Sequence, residues 1–276
     1  MRVALLGLGL IGGSVARAAV AGEMRVRAWT PVGSGPGAAA PDGIEPADSI
    51  EDAIAGADLV VLAAPPLACL ELIDRLAGMS LDPETVVTDV ASTKRAIVER
   101  ARSAGLRFVG GHPLAGKETT GYGASDPDLF RGRLWVLVPP EPADQVALDR
   151  VATLVEVCGA ELVRMTAADH DRQVAAISHL PLLLAAALAE SVAASPDWPA
   201  AGALAAGGWD SMTRLARGDV AMGAGIVATN ATEIGARLAA LRSTLDEWAA
   251  ALESADVRTE AGEHLARARD ALVEGS

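Results

Sequence analysis

The run Gly7-Leu8-Gly9-Leu10-Ile11-Gly12 lies directly behind the apolar residues 3–6 and opens a helical pattern from Gly13 to Ala21; no other stretch restricts the fold of this chain as much. Glycines at that spacing between a strand and a helix have separate steric tasks. Gly7 makes the turn, Gly9 lets the backbone come close to a bound group, and Gly12 lets the helix lie against the strand. The helix start then offers unpaired N–H groups to an anion, which is how a dinucleotide pyrophosphate is held. The segments behind it fit that opening: β-rich runs at residues 26–29, 59–63, 85–89, 108–109 and 134–138 alternate with helical patterns. Strands separated by helices of roughly 10–15 residues imply right-handed βαβ units and a doubly wound parallel sheet.

After about Met165 the pattern turns to long Ala/Leu-rich helices, such as residues 229–252 with Ile234, Leu238, Leu241, Leu245 and Trp248 at spacings of three and four. The expected organisation is an α/β Rossmann-type domain over residues 1–165 and an all-helical domain over 166–276. Residues 33–41 read as a Gly/Pro/Ala loop.

Composition narrows the partners. The net charge of −13, from 23 Lys+Arg against 36 Asp+Glu, opposes the basic stripe that a phosphate backbone requires, so no nucleic-acid partner is expected. Residues 1–22 imitate a secretory signal, but their glycines belong to the turn and no cleavage region follows. The apolar run 180–189 ends at Glu190, short of the roughly 18–20 residues a bilayer span needs. A soluble, cytoplasmic protein with no membrane partner is expected. Cys69 and Cys158 lie far apart, away from any Cys/His cluster, and read as buried small hydrophobes; no metal site is expected.

The second strand ends in Trp29-Thr30-Pro31, with no carboxylate to hold the ribose hydroxyls of NAD and no Lys or Arg from residue 28 to 50 to hold the 2′-phosphate of NADP. The balance leans to NAD and leaves NADP open. The expected cofactor contacts are Gly7, Leu8, Gly9, Leu10, Ile11, Gly12, Thr30, Ala64, Pro65 and Ser92.

Three polar stretches are poorly explained by packing. Residues 88–94, Thr-Asp-Val-Ala-Ser-Thr-Lys, follow a strand, where ligands gather in open α/β sheets. Residues 110–118, Gly-Gly-His-Pro-Leu-Ala-Gly-Lys-Glu, place His112 on a glycine-flanked loop, one of four histidines in the chain. In residues 170–181, His170 and His179 are nine positions apart, on opposite faces of a straight helix at about 100° per residue. Pro181 should kink that helix beside His179 by removing the bond to the Ile177 carbonyl. Thr166 and Asp169 resemble a capping box, which assigns His170 to the structure of the helix start. On spacing alone His179 is equally a core histidine or a site residue, and Arg214 a solvated charge.

Residues 7–14, 89–94, 110–118, 170–172, 178–181 and Asp210-Ser-Met-Thr-Arg-Leu-Ala (210–216), in this order, resemble the prephenate dehydrogenase family over nearly the whole chain. The resemblance implies oxidative decarboxylation of the dicarboxylate prephenate to 4-hydroxyphenylpyruvate, a step of tyrosine biosynthesis. His112 would be the base on the substrate hydroxyl, Ser92 an orienting hydrogen-bond group between hydroxyl and nicotinamide, His179 a pocket residue, and Arg214 the carboxylate clamp. Lys117 stands where the family often has a small hydroxylated residue and would add a cation to the pocket. Met222-Gly223-Ala224-Gly225 stands where a Met-Trp-x-Asp segment is common, which keeps arogenate and 4-amino-4-deoxyprephenate open as substrates, along with a catalytically silent nucleotide sensor. The family resemblance also implies that the helical half binds substrate and forms a homodimer, and no regulatory domain is expected after Ser276.

Overall fold

The structure is a computed structural model and describes residues 1–31, 35–117 and 119–274. Its first compact unit runs from residue 1 to 231, the second from residue 232 onward.

The first unit is built on an eight-stranded sheet in the order β3-β2-β1-β4-β5-β6-β7-β8. In chain order it contains β1 (Arg2–Leu6), α1 (Leu10–Ala21), β2 (Arg25–Trp29), α2 (Gly35–Ala39), β3 (Ile44–Pro46), α3 (Ile50–Ile54), β4 (Leu59–Leu62), α4 (Pro66–Ala77), β5 (Val86–Asp89), α5 (Arg95–Ser103), β6 (Phe108–Pro113), β7 (Leu134–Val138), α6 (Gln145–Val157) and β8 (Glu161–Arg164). Successive side chains of a strand point to opposite faces, and β1 shows the result. Val3 and Leu5 join one core with Val15 and Ala19 of α1 and Leu148 and Val151 of α6. Ala4 and Leu6 join the other with Ile50 of α3, Leu72 and Ile73 of α4, and Ile97 of α5. Burial on both faces explains why the central strands read as unbroken apolar runs.

The sheet is parallel except between β6 and β7, where Gly110 opposes Val138 and His112 opposes Val136 in antiparallel register. This pairing corrects the expected loop at His112. The two glycines keep ordinary backbone angles, and the strand continues through the histidine to Pro113 because β7 offers it a ladder. β3 and β8, three and four residues long, are too short to show a period. Within the expected 33–41 loop, residues 33 and 34 lie outside the described residues; α2 and a 3-10 turn at Ala40–Asp42 occupy the remainder.

Among the described residues this unit also contains the helices α7 (Ala167–Val174), α8 (Leu180–Ala193), α9 (Trp198–Ala203), α10 (Gly207–Thr213) and α11 (Val220–Thr229). A π-helical turn at Ala175–His179 joins α7 to α8. The expected kink at Pro181 is thereby replaced: the wide turn absorbs the missing backbone bond, and the helix runs on from Ala167 to Ala193. By length and composition that helix could cross a bilayer. The second unit holds α12 (Ala231–Glu253) and α13 (Val257–Glu274), with Trp248 and His264 stacked at 4.7 Å. The expected helix over 229–252 therefore starts late, because α11 ends at Thr229 and Asn230 separates it from α12.

Candidate active site

The dinucleotide turn has the geometry that its glycines demand. Gly7 has φ of 111°, and a Cβ there would stand 2.2 Å from the Ala63 carbonyl oxygen. A Cβ on Gly12 would stand 2.1 Å from the Gly7 oxygen, so α1 reaches β1 and β4 only as glycine. A Cβ on Gly9 would meet nothing within 4 Å, and α1 begins there without a side-chain cap. The result is an open approach to bare helix N–H groups, which fits a pyrophosphate. Leu8 is buried under the turn, while Leu10 and Ile11 are half-buried on the first helical turn. Thr30 follows Trp29, whose carbonyl accepts from the Gly7 N–H at 2.8 Å. Ala64 and Pro65 extend from β4 into the start of α4, where the Ala64 carbonyl accepts from the Cys69 thiol at 3.2 Å. These segments flank the point between β1 and β4 where the strand order reverses, the place where open α/β sheets bind nucleotides. The Arg75 guanidinium lies 5.4 Å from the Trp29 ring centroid, bringing to the end of β2 a cation that residues 28–50 lack.

Further along the sheet, a chain of hydrogen bonds ends at His112. The Asp171 carboxylate accepts from the backbone N–H groups of Lys94 at 2.8 Å and Arg95 at 2.9 Å, and its Oδ1 lies 2.8 Å from Nδ1 of His170. Burial would raise the Asp171 pKa, but the bonds from His170, Arg95 and Lys94 outweigh it and hold the group below the usual carboxylate range. An ionised carboxylate can only accept, so His170 Nδ1 carries a proton, and in the neutral ring Nε2 is then the acceptor. Nε2 of His170 lies 2.8 Å from Nδ1 of His112, which must donate. His112 Nε2 is left as a bare lone pair. Burial first, then the nearby His170, Lys94 and His179, push the His112 pKa well below its ordinary value, so the ring is neutral at pH 7.

A second assignment follows from Asn230. Its side-chain NH2 donates to the Asp171 carbonyl at 2.9 Å and reaches His179 Nδ1 at 3.1 Å, making that nitrogen the acceptor and placing the proton on His179 Nε2. Among the described residues this buried Nε2–H has no partner of good geometry, although the Ser92 backbone is near enough to raise the His179 pKa. Burial lowers the His179 pKa to about 4, against the pull of Asp171. The π-helical turn explains how one helix serves both histidines. Its extra residue rotates everything downstream by about 100°, turning His179 toward the side that carries His170.

Ser92 lies in the loop between β5 and α5, pinned by a buried ion pair. Lys94 Nζ bonds Asp89, whose carboxylate also accepts from the N–H groups of Ala91 and Gly111, each at 3.0 Å. A Cβ at Gly111 would stand 2.4 Å from the Asp89 carbonyl, so the loop and β6 lock together only through glycine.

The other expected residues are placed differently. Lys117 is exposed and paired with Asp126 at 2.9 Å, in a cleft with Arg131 and Arg133. Glu118 lies outside the described residues. Arg214 is exposed in the 3-10 turn Arg214–Arg217, packed beside α8. Met222 to Gly225 lie on α11, where Gly225 is buried against Pro66 and Leu67 at the start of α4. The capping box is present, with the Asp169 N–H donating to Thr166 Oγ1 at 3.0 Å, but His170 takes no part in it. His170 is thus reassigned from the helix start to the site. Together with Asp171, Lys94, Asp89 and Asn230, it joins the site only through tertiary contacts. In the sequence, the polar stretch 88–94 marked Asp89 and Lys94 and the His-Asp-Arg run at 170–172 marked Asp171, whereas nothing local marked Asn230.

Both halves of the chain are similar to known proteins. The family model "Prephenate dehydrogenase, nucleotide-binding domain" matches residues 42–164, "Prephenate dehydrogenase, dimerization domain" matches 166–267, and the NAD-binding domain of D-isomer specific 2-hydroxyacid dehydrogenases matches 1–72. The chain is 32% identical to a prephenate dehydrogenase of Bacillus subtilis over 254 residues, 89% of this chain and 67% of that protein. Among solved structures, Synechocystis arogenate dehydrogenase superposes with a TM-score of 0.83 at 29% identity over 100% of both chains. Prephenate dehydrogenase from A. aeolicus, in complex with hydroxyphenyl propionate and NAD+, superposes with a TM-score of 0.86 at 26% identity, covering 99% of this chain and 96% of that one. A nucleotide-binding sheet with a bare imidazole nitrogen, matched in sequence across both halves, identifies this chain as a member of the prephenate dehydrogenase family, an oxidoreductase that uses a nicotinamide dinucleotide.

Proposed function

We propose that this chain oxidises prephenate to 4-hydroxyphenylpyruvate with NAD. The observation that carries this reading is the hydrogen-bond chain Asp171–His170–His112, which leaves His112 Nε2 as an acceptor for the substrate hydroxyl proton. His112 takes that proton, and Ser92 orients the hydroxyl. The Nε2–H of His179, buried with no partner of good geometry among the described residues, donates to the substrate, and Arg214 grips a carboxylate through two parallel N–H bonds. Lys117 belongs at the rim, where Asp126 already balances its charge. A bound nicotinamide, held by Gly7 to Gly12, Thr30, Ala64, Pro65 and Ser92, supplies the hydride acceptor. With a bound nicotinamide to accept hydride, the carbon bearing the hydroxyl would lose hydride as His112 takes the hydroxyl proton; the bond to the ring carboxylate would then break, its electron pair would make the ring aromatic as carbon dioxide departs, and His112 would return the proton to the phenolate oxygen.

The functional boundary of this reading lies at residue 165, between a nucleotide-binding half and a substrate-binding half that pairs into a homodimer. Support comes from the match of residues 166–267 to a dimerization domain and from apolar side chains left exposed on and beside the helices, Ile177 at 74%, Leu204 at 83% and Val220 at 84%. On this reading the apolar face of the helix Ala167–Ala193 meets a second protomer rather than lipid, and the protein works in the cytoplasm.

Arogenate is the second reading, favoured by the full-length superposition on the Synechocystis arogenate dehydrogenase. Purified protein given prephenate, arogenate or 4-amino-4-deoxyprephenate with NAD or NADP, followed by reduced-nicotinamide absorbance, separates these readings. Turnover of prephenate with NAD at the highest kcat/KM supports the proposal. Turnover of none of them would leave a nucleotide-binding protein without this activity. Light scattering of the eluting species reads the dimer.

A further inference from the structure

His112 and His179 depend on the same residue, Asp171, in opposite senses. The Asp171 carboxylate holds the proton on Nδ1 of His170, which makes Nδ1 of His112 a donor and leaves its Nε2 bare. The backbone carbonyl of Asp171 accepts from Asn230 Nδ2 at 2.9 Å, and the same NH2 meets Nδ1 of His179 at 3.1 Å. A carbonyl can only accept, so the amide cannot be turned over: its Oδ1 would then face another oxygen. The Ser92 backbone agrees with a proton on Nε2 of His179, since it raises the pKa of that ring as an acceptor does. The two rings therefore hold opposite tautomers, His112 presenting an acceptor and His179 a donor.

Asn230 is anchored for this task. α11 ends at Thr229, and Asn230 leaves the helix with φ of −130° and ψ of 27°. The Thr229 hydroxyl donates to the Gly225 carbonyl at 2.7 Å, so in its 2.8 Å bond to Thr93 it accepts. Thr93 is buried next to Ser92 in the loop between β5 and α5, which ties the end of α11 to the loop that carries Ser92. The buried Asn230 side chain then turns between Asp171 and His179. Its nearest replacements do not suit the place. A carboxylate at 230 would oppose the Asp171 carbonyl and demand a proton on Nδ1 of His179, and an apolar side chain would leave both groups unpaired inside the protein.

We propose that Asn230 is a positioning residue of the reaction: by fixing the proton of His179 on Nε2, it makes that histidine a hydrogen-bond donor to a substrate oxygen, a carboxylate or a carbonyl and not an ammonium, while His112 stays the acceptor. The tautomer claim stands without the substrate assignment above; the claim on substrate binding rests on it.

Long-range proton–nitrogen correlation spectra of the full chain, labelled with heavy-nitrogen histidine, read the tautomer of each ring, and His179→Gln identifies the His179 signals. At about pH 8, above the ordinary histidine pKa, His179 should carry its proton on Nε2 in the wild type and on Nδ1 in Asn230→Asp. With active enzyme, Asn230→Asp should raise the substrate KM at least about tenfold, as the loss of one hydrogen bond to a charged group does, and leave NAD affinity within about twofold. Asn230→Leu, which withdraws the amide and offers no carboxylate, should also raise KM and serves in its place if Asn230→Asp folds poorly. A wild-type His179 with its proton on Nδ1, or variants at 230 with unchanged KM, would overturn the role of Asn230. A merely structural residue would lower thermal stability and leave KM alone. Absence of turnover in the wild type would count against the substrate reading and leave the spectra to judge the tautomer.

Discussion

Nδ1 of His112 stands 2.8 Å from Nε2 of His170, and because Asp171 fixes the proton on the other nitrogen of His170, the bond can run in only one direction. On the proposed reading His112 acts on the substrate, whereas His170 and Asp171 position it. His112→Asn should lower kcat by about a hundred- to ten-thousand-fold with nucleotide affinity intact. His170→Leu should lower kcat by about ten- to a hundredfold and also move the acid limb of the pH profile upward, because it removes a group that holds the His112 pKa down. A limb unmoved by His170→Leu would reduce that residue to packing.

The pH dependence has a definite sign. His112 and His179 both have pKa values below the ordinary histidine value, His179 at about 4, so the unfolded chain binds more protons than the folded one between those values. Their contribution to stability is complete above about pH 6.5 and is lost as the pH falls toward 4, by up to about 1.4 kcal/mol per pH unit for each group. Urea midpoints measured from pH 7 to pH 4 should fall accordingly, and the acid limb of kcat/KM should lie below pH 6.5.

Lys94 and Asp89 are fully buried and paired. Lys94→Met leaves a carboxylate inside the protein with two backbone donors and no cation, and should cost about 3–5 kcal/mol. Adding Asp89→Asn removes the stranded charge, so the double variant should recover part of that loss in thermal unfolding. A double variant less stable than Lys94→Met would contradict the assignment.

At Gly12, a methyl group would meet the Gly7 oxygen at 2.1 Å, backbone that cannot swing aside. Gly12→Ala should therefore displace α1 and weaken NAD binding at least about tenfold in fluorescence titrations. Gly9→Ala meets no protein atom, so any loss there reports contact with the nucleotide itself.

The charge of −13 opposes the approach of a dicarboxylate. Moderate salt, by screening it, should raise kcat/KM or leave it unchanged. A steep fall with salt would show that local cations such as Arg214 govern capture.

The amino-acid sequence alone determined the nucleotide turn, because glycines 7, 9 and 12 act on neighbours a few residues away, and the order of strands and helices, because local periodicity carries it. Its motifs also carried the resemblance to the prephenate dehydrogenase family and the nomination of His112. Long-range contacts decided the rest. β7 made a strand of the residues around His112 by antiparallel pairing, and a π-helical turn brought His179 to the side of His170. The N–H groups at the start of α5 caught Asp171, 76 residues away in the chain. Arg75 reached Trp29 from another helix altogether. A hydrogen bond between residues so distant leaves no period or spacing to read, and so the proton positions that leave His112 Nε2 as an acceptor exist only in the folded chain.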